Sequence, residues 1–298
     1  MTSPVMRPLL IAGPTASGKS AYALAEAAKG GVIINADASQ VYDVWRVLTA
    51  RPSVEEEALA PHQLYGHVSP AIRYSVGAWL RDIAPLLGGA QANGLRPIIV
   101  GGTGLYFKAL TEGLAEIPEP SEAIRQEVDA KLKADGLAAL VADLTARDPV
   151  TAEAMDLMNP MRVTRALEVL ETTGRGLAAW RAETPPALIA DAEKVLITPD
   201  REALYARCDR RFDIMIEHGA LGEARAIAAL DLDPALPSMR AVGAPELLAH
   251  LRDEITLEKA ARAAKQATRN YAKRQMTWMR NQMKYWPKID PDATNAKI

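Results

Sequence analysis

A glycine-rich loop directly after a short apolar run constrains the fold of this chain more than any other sequence feature. The segment IAGPTASGKSAY, residues 11–22, matches G-x-x-x-x-G-K-[ST] at residues 13–20, and good helix formers follow it. Glycines let consecutive backbone N–H groups converge on phosphate oxygens, while the following helix presents its positive end. The pattern therefore predicts a phosphate-binding loop between a β-strand and an α-helix.

Residue types within the loop indicate separate roles. Gly13 and Gly18 supply backbone freedom, and Lys19 is expected to neutralise charge on the outer phosphate. The hydroxyl of Ser20 is the expected protein ligand for Mg²⁺. The alternative is an ordinary glycine-rich turn. The predicted phosphate-binding set is Gly13, Pro14, Thr15, Ala16, Ser17, Gly18, Lys19 and Ser20.

Further short apolar runs predict a parallel sheet. PLLIAG, GVIINAD, RPIIVGG and KVLIT each end in glycine or polar residues, and alanine-rich helical stretches alternate with them. Residues 114–186 contain no strand-like run and predict a helical insertion. We therefore expect an α/β fold with a phosphate-loop core over residues 1–113 and 187–298, and an all-helical insertion domain between them.

One helix of the insertion has clear boundaries in the sequence. Asn159 is a suitable N-cap, Pro160 suits the first helical position, and Gly174 can end the helix. The apolar spacing predicts a core face of Val163, Ala166, Leu167 and Leu170.

Cations are concentrated near the C-terminus. The formal net charge is −2, yet nine Lys or Arg and no Asp or Glu lie between residues 259 and 288. In a single helix, Arg262, Lys265, Arg269, Lys273, Arg280 and Lys284 fall on one face. A face with no acid to balance it suits a phosphodiester backbone. The alternative is a solvated cationic face.

Composition excludes several classes of protein. The single cysteine, Cys208, allows no intramolecular disulfide, and four scattered His form no zinc cluster. No apolar run is long enough to cross a bilayer, and no signal peptide is evident, so we expect a cytoplasmic protein without a membrane partner. The motif [NT]-K-x-D is missing from the later strands, which argues against guanine recognition and leaves a kinase open.

Three polar residues follow predicted strands at the sheet edge where parallel folds bind ligands. Asp37 could act as a base or hold a metal through water, with helix capping or solvation as the alternative. Gln40 could recognise an amide-like edge such as that of adenine. Thr103, in the motif GGTG, could donate to a phosphate or leaving group, with helix capping as the alternative.

The motifs occur in a familiar order. GPTASGKS, NADASQVY, TARP, PIIVGGTGLY, RVTRALEV, MRAVG and TRNYAKRQMTWMRN together resemble the bacterial tRNA dimethylallyltransferases, also called tRNA isopentenyltransferases, over about residues 9–281. The resemblance implies transfer of a dimethylallyl group from dimethylallyl diphosphate to N6 of the adenosine immediately 3′ of the anticodon. Partners would then be dimethylallyl diphosphate and the anticodon stem-loop of a tRNA, with Mg²⁺ as cofactor and the chain acting as a monomer.

The same resemblance assigns roles to individual residues. It makes Asp37 the general base, places Thr103 beside the reaction centre and Arg211 near the diphosphate, and includes Lys19 in the segment that contacts the donor. Thr15 to Ser20 would contact the donor. The positions that match tRNA-contacting residues are Asp37, Ala38, Ser39, Gln40, Thr103, Arg125, Met161, Arg162, Val163, Thr164 and Arg165.

Some positions depart from the family pattern, and other functions stay open. Ala38 stands where the family usually has Ser, Arg51 replaces the usual Lys, and HQLYG at residues 62–66 stands where HHLID is common. The alternatives are an adenylate isopentenyltransferase acting on free AMP, a small-molecule kinase, and a noncatalytic tRNA-binding module.

Overall fold

The structure, a computed structural model, describes residues 6–291. Its centre is a parallel sheet of six strands in the order β3-β2-β4-β1-β5-β6. The strands are β1 (Leu9–Ala12), β2 (Gly31–Asn35), β3 (His62–Gln63), β4 (Arg96–Gly101), β5 (Glu193–Ile197) and β6 (Lys288–Ile289). The predicted α/β class is confirmed, and the four predicted runs form β1, β2, β4 and β5. The two edge strands, β3 and β6, were not predicted.

Helices cover the sheet and form the insertion. The first group is α1 (Lys19–Ala27), α2 (Val54–Leu59), α3 (Val76–Ala92) and α4 (Gly104–Glu112). The insertion contains α5 (Glu122–Arg147), α6 (Pro149–Glu153), α7 (Pro160–Thr173) and α8 (Leu177–Ala182). The last group is α9 (Arg201–Glu217), α10 (Ala220–Ala228), α11 (Ala244–Leu251) and α12 (Leu257–Gln282), with a 3₁₀ turn at Pro237–Arg240. None of the helices in residues 6–291 is long and apolar enough to cross a membrane.

The sheet's core and register define where a ligand can bind. All four residues of β1 are fully buried, and β1 lies inside the sheet between β4 and β5. Ala12 pairs with Gly101, and Asn35 pairs with Val100, so β1, β2 and β4 end at the same edge. Parallel strands deliver the residues after their carboxyl ends to one crevice. The loops that begin at Gly13, Ala36 and Gly102 therefore meet there.

Packing divides the chain into two compact units. Among the described residues, the larger contains 6–109 and 189–291, and the smaller is Leu110–Leu188. In the smaller unit, helix α7 begins and ends as the sequence predicts: Asn159 accepts a hydrogen bond from the Arg162 amide, and Gly174 adopts a left-handed conformation with φ 67°. Its apolar face is buried against α5, which is interrupted at Gly136.

Candidate active site

The phosphate loop lies between β1 and α1, as predicted. Gly18 caps α1 with φ 88°, a left-handed conformation that favours glycine. Gly13 is required by packing, since a Cβ there would lie 2.6 Å from Ser17 Oγ and 3.2 Å from Ile197 Cβ. The loop closes on itself through a hydrogen bond from the Ser17 amide to the Pro14 carbonyl, 3.2 Å. Its shape is thus set by local sequence and by the neighbouring strand.

Two cationic side chains bracket this loop. Lys19 Nζ donates to the Pro14 carbonyl at 3.3 Å, and Arg211 of α9 donates to the Thr15 hydroxyl. Burial lowers the pKa of Lys19 to about 8, although the charge of Asp37 acts in the opposite direction. Burial also lowers the pKa of Arg211, while Cys208 and Asp37 raise it. Desolvated cations beside a glycine loop form a strong anion site.

Asp37 lies just beyond β2 and is only 8% exposed. Its Oδ1 accepts hydrogen bonds from the Ser39 amide at 3.0 Å and the Ser39 hydroxyl at 2.8 Å. Its Oδ2 faces Gly102, 3.4 Å from where a Cβ on that glycine would lie. The Asn35 amide holds the turn by bonding both the Asp37 backbone N–H and its carbonyl. Ser39 therefore orients the carboxylate and leaves Oδ2 directed at the loop after β4.

The loop after β4 carries Thr103 to the same place. Its hydroxyl accepts a hydrogen bond from the Ala38 amide at 2.9 Å, and its amide donates to the Ala36 carbonyl at 3.2 Å. The Thr103 side chain also interacts with the Tyr271 phenol of α12, which partly offsets the rise of that phenol's pKa on burial. Gly101 permits this approach, since a Cβ there would lie 2.0 Å from the Ala36 carbonyl oxygen. The Thr103 side chain thus bonds across the crevice to the loop that follows Asp37.

Three tyrosine phenols lie near enough to Asp37 to respond to its charge. Burial raises the pKa of Tyr65, Tyr106 and Tyr271, and in each case the negative charge of Asp37 raises it further. These phenols stay protonated at neutral pH and do not compete with Asp37 as bases. Tyr106 is fixed by stacking on Trp79, with ring centroids 4.4 Å apart.

Gln40 is anchored by its amide nitrogen. Nε2 donates to the carbonyls of Thr49 at 2.8 Å and Ala50 at 2.7 Å, which fixes the side chain against the following loop. Both N–H groups of the amide are thus engaged, so Oε1 is the atom that can face a ligand. Recognition of adenine by Gln40 stays a prediction, and it now rests on the acceptor oxygen.

The departures at residues 51 and 62–66 are structurally linked. Arg51 donates from Nη1 to the Tyr42 carbonyl at 3.0 Å, and its guanidinium lies over Gly66. A Cβ on Gly66 would be 2.2 Å from Arg51 Cζ. HQLYG therefore provides the edge strand β3 and the space for a planar guanidinium. A cavity of about 220 Å³ adjoins these residues and reaches Ser20 and Tyr65.

Residues of the smaller unit predicted to contact RNA differ in exposure. Met161 and Arg162 are exposed at the start of α7, whereas Val163 and Thr164 are buried in its core face. Arg165 is half-buried 3.4 Å from Glu168, and Arg125 lies 3.8 Å from Glu122. Met161 and the three arginines are therefore the side chains in this set that a nucleic acid could reach, while Val163 and Thr164 support the helix. Their contact with RNA stays a prediction.

The expectation of an unbalanced cationic face on α12 was wrong. Lys265 pairs with Asp213 at 2.6 Å and Arg269 pairs with Asp209 at 2.5 Å, both acids projecting from α9. Lys284 lies beyond the helix, which ends at Gln282. The residues buried along α12 are Ala260, Ala264, Thr268, Ala272, Gln275 and Met279. Of the predicted cationic face, Arg262, Lys273 and Arg280 are exposed and still on the helix.

Gln275 lies in the site, although no sequence motif predicted it there. It is 6% exposed, and its amide bonds the Thr15 N–H and the Gly102 carbonyl, each at 2.9 Å. A glutamine among cations on a polar helix carries no sequence signal of its own. Only the helical spacing along α12, which puts Gln275 on the same side as the buried residues of that helix, could have indicated its burial.

Comparisons with known proteins show which family the chain belongs to. A model of the IPP transferase family matches residues 40–282. The chain belongs to this family. A tRNA dimethylallyltransferase of Cereibacter sphaeroides is 58% identical over 289 residues, covering 96% of this chain and 97% of that protein. One from Dinoroseobacter shibae is 56% identical over 290 residues, covering 96% of each chain.

Solved structures of IPP transferases share the fold. The crystal structure of the tRNA isopentenylpyrophosphate transferase from Bacillus halodurans is 32% identical, with a TM-score of 0.67, covering 95% of this chain and 89% of that one. A eukaryotic dimethylallyltransferase acting on tRNA is 26% identical, with a TM-score of 0.78, covering 92% of this chain and 70% of that one.

Proposed function

We propose that this chain transfers a dimethylallyl group from dimethylallyl diphosphate to N6 of the adenosine immediately 3′ of the anticodon in tRNA, releasing diphosphate. One observation carries the proposal: a phosphate loop with two half-buried cations, Lys19 and Arg211, lies at the same sheet edge as the nearly buried carboxylate of Asp37. Membership of the IPP transferase family supports the reaction class.

The nucleophile needs a base. The lone pair of an exocyclic adenine amine is delocalised into the ring, so N6 attacks only as a proton is withdrawn. In the proposed reaction, the N6–carbon bond forms, the allylic carbon–oxygen bond breaks, and Asp37 Oδ2 accepts the proton from N6. Ser39 holds the other carboxylate oxygen in place. A positioned base of this kind contributes about 10² to 10⁴ in rate.

The leaving group needs positive charge and hydrogen-bond donors. Lys19 and Arg211 lie at the loop and stabilise charge that grows on the diphosphate as the carbon–oxygen bond breaks. Both are partly desolvated, which strengthens their interaction with an anion. Thr103 holds the loop after β4 against the loop that carries Asp37 by accepting the hydrogen bond of the Ala38 amide, and would lie beside the reaction centre.

The loop also suits a magnesium ion. Within residues 6–291 no cluster of three or more His, Cys, Asp or Glu could hold a metal by itself. Mg²⁺ commonly binds through one protein oxygen, substrate phosphates and water, so the single hydroxyl of Ser20 fits this arrangement. Ser20 would hold the ion together with the donor's phosphate oxygens, and the ion would neutralise negative charge on the diphosphate.

The adenosine must leave the anticodon-loop stack to reach Asp37. We propose that the extruded base is read by Gln40 Oε1 and that Arg125, Arg162 and Arg165 contact the RNA backbone. Exposed cations of α12 would add to this contact.

A tRNA substrate also supports a cytoplasmic location. We propose that the chain acts as a monomer, which size-exclusion chromatography with light scattering would check.

Mass spectrometry of the RNA tests the proposed function. The protein is incubated with Mg²⁺, dimethylallyl diphosphate and an anticodon stem-loop bearing adenosine 3′ of the anticodon. The matched control is the same stem-loop with uridine at that position. We expect one added dimethylallyl group on the first RNA and none on the second. Modification of AMP instead of RNA would establish the adenylate enzyme, and phosphate transfer from ATP would establish a kinase.

RNA binding without any product from a folded protein, in the presence of both substrates, would support the noncatalytic module and contradict the transferase.

A further inference from the structure

Gln275 occupies an unusual position on the C-terminal helix. It lies among Lys273, Arg274 and Arg280, which are exposed, yet its own side chain is 6% exposed. A buried amide needs partners for both its oxygen and its nitrogen. Here the partners are the backbones of two different loops.

The hydrogen bonds determine the orientation of the amide. Oε1 accepts from the Thr15 N–H in the phosphate loop, and Nε2 donates to the Gly102 carbonyl in the loop after β4, both at 2.9 Å. Because one partner is only a donor and the other only an acceptor, a flipped amide would lose both bonds. A Cβ on Gly102 would lie 2.3 Å from Nε2, so glycine is required for this approach.

The same face of α12 also faces the next two residues along the chain. Gly104, the first residue of α4, packs under Trp278, where a Cβ would lie 2.2 Å from the ring, and the Tyr271 phenol interacts with the Thr103 side chain. Residues 271, 275 and 278 are spaced by four and three, so they project from one side of the helix. One face of α12 therefore holds three consecutive residues, Gly102 to Gly104.

We propose that Gln275 is a positioning residue for the transfer reaction: its amide holds the phosphate loop and the Thr103 loop at a fixed separation. The inference rests on the proposed function, since the phosphate loop would bind the leaving group while the second loop carries Thr103 to Asp37. The Thr15 N–H donates to Gln275 and not to a ligand. The Thr15 hydroxyl, which accepts from Arg211, and the residues next to Thr15 in the loop would contact the ligand.

The test uses Gln275→Met, which keeps the length of the buried side chain and removes both hydrogen bonds. Gln275→Asn, too short to reach both loops, is the second variant. Gln282→Met, at an exposed position of the same helix, is the matched control. Thermal unfolding establishes that each variant is folded. We expect kcat to fall about tenfold in both Gln275 variants and to stay at the wild-type value in the control.

A double-mutant cycle separates positioning from general damage. If Gln275 acts by placing Thr103, then Gln275→Met should cost much less kcat in a Thr103→Val background than in the wild type. Equal losses in both backgrounds would overturn the proposal, as would a folded Gln275→Met variant with wild-type kcat.

Binding of inorganic diphosphate with Mg²⁺ gives a readout that needs no RNA and no transfer. Gln275→Met should weaken this binding several-fold relative to the Gln282→Met control, because the phosphate loop loses one of its anchors. Unchanged affinity would overturn the anchoring of that loop. If wild-type protein binds diphosphate but modifies no RNA, the proposed function fails while this binding measurement still decides the role of Gln275.

Discussion

The Thr103 hydroxyl accepts a hydrogen bond from the Ala38 amide over 2.9 Å, which joins the loop after β4 to the loop after β2. Asp37 immediately precedes Ala38, so this bond fixes the carboxylate relative to the glycine turn. The Thr103 amide completes the link by donating to Ala36. Two loops from neighbouring strands thereby behave as one rigid element around the proposed base.

Replacing Thr103 by Val tests this link. Valine keeps the branched shape but removes the hydroxyl, leaving the Ala38 amide without its acceptor. We expect kcat to fall roughly 10- to 100-fold while the protein stays folded. Thr103→Ser, which keeps the hydroxyl, is the control and should lose little. A Thr103→Val variant as active as Thr103→Ser would show that the hydroxyl is dispensable.

Lys19 should make donor binding depend on pH. Burial lowers its pKa to about 8, so in the free protein Lys19 is charged below that pH and neutral above it. Binding of the diphosphate requires the charge. We therefore expect the Kd for dimethylallyl diphosphate to rise about tenfold between pH 7 and pH 9, measured by isothermal titration calorimetry.

The control for this effect is Lys19→Arg, whose guanidinium stays charged throughout the range. Its Kd should change much less with pH, even if its absolute affinity is lower. The same pH dependence in wild type and Lys19→Arg would assign the titration to another group.

The cations of α12 should contribute unequally to RNA binding. Within residues 6–291 the structure pairs Lys265 and Arg269 with acids but places no carboxylate on Lys273 or Arg280. Lys273→Ala/Arg280→Ala should reduce the salt dependence of stem-loop binding by about 0.7 in log–log slope for each RNA phosphate that these side chains neutralise. Lys265→Ala/Arg269→Ala is the matched control. An equally reduced slope in the control would contradict the unequal roles.

Local signals in the sequence were sufficient for the central sheet and the phosphate loop. The strands β1, β2, β4 and β5 each contain a buried apolar run bounded by turn residues, and such runs can be recognised from sequence alone. The edge strands His62–Gln63 and Lys288–Ile289 have two residues each and no apolar periodicity. Their pairing depends on the neighbouring strand, so the local sequence gives no sign of it.

The site contacts that could not be predicted from the sequence are long-range contacts. The partners of Lys265 and Arg269 lie more than fifty residues earlier on α9, and the partners of Gln275 are backbone groups more than 170 residues away. Charge counting along one helix cannot detect acids contributed by another. Asp37, Lys19 and Thr103 were predictable because each follows a recognisable strand.

The rate of transfer by an Asp37→Asn variant tests the central claim most directly. Asparagine keeps an acceptor oxygen for Ser39 but cannot take a proton from N6. Single-turnover rates with saturating dimethylallyl diphosphate and stem-loop RNA are compared with wild type, alongside RNA affinity. We predict a rate lower by about 10² to 10⁴ with RNA affinity unchanged. A variant that transfers the group at the wild-type rate would contradict the role of Asp37 as the base.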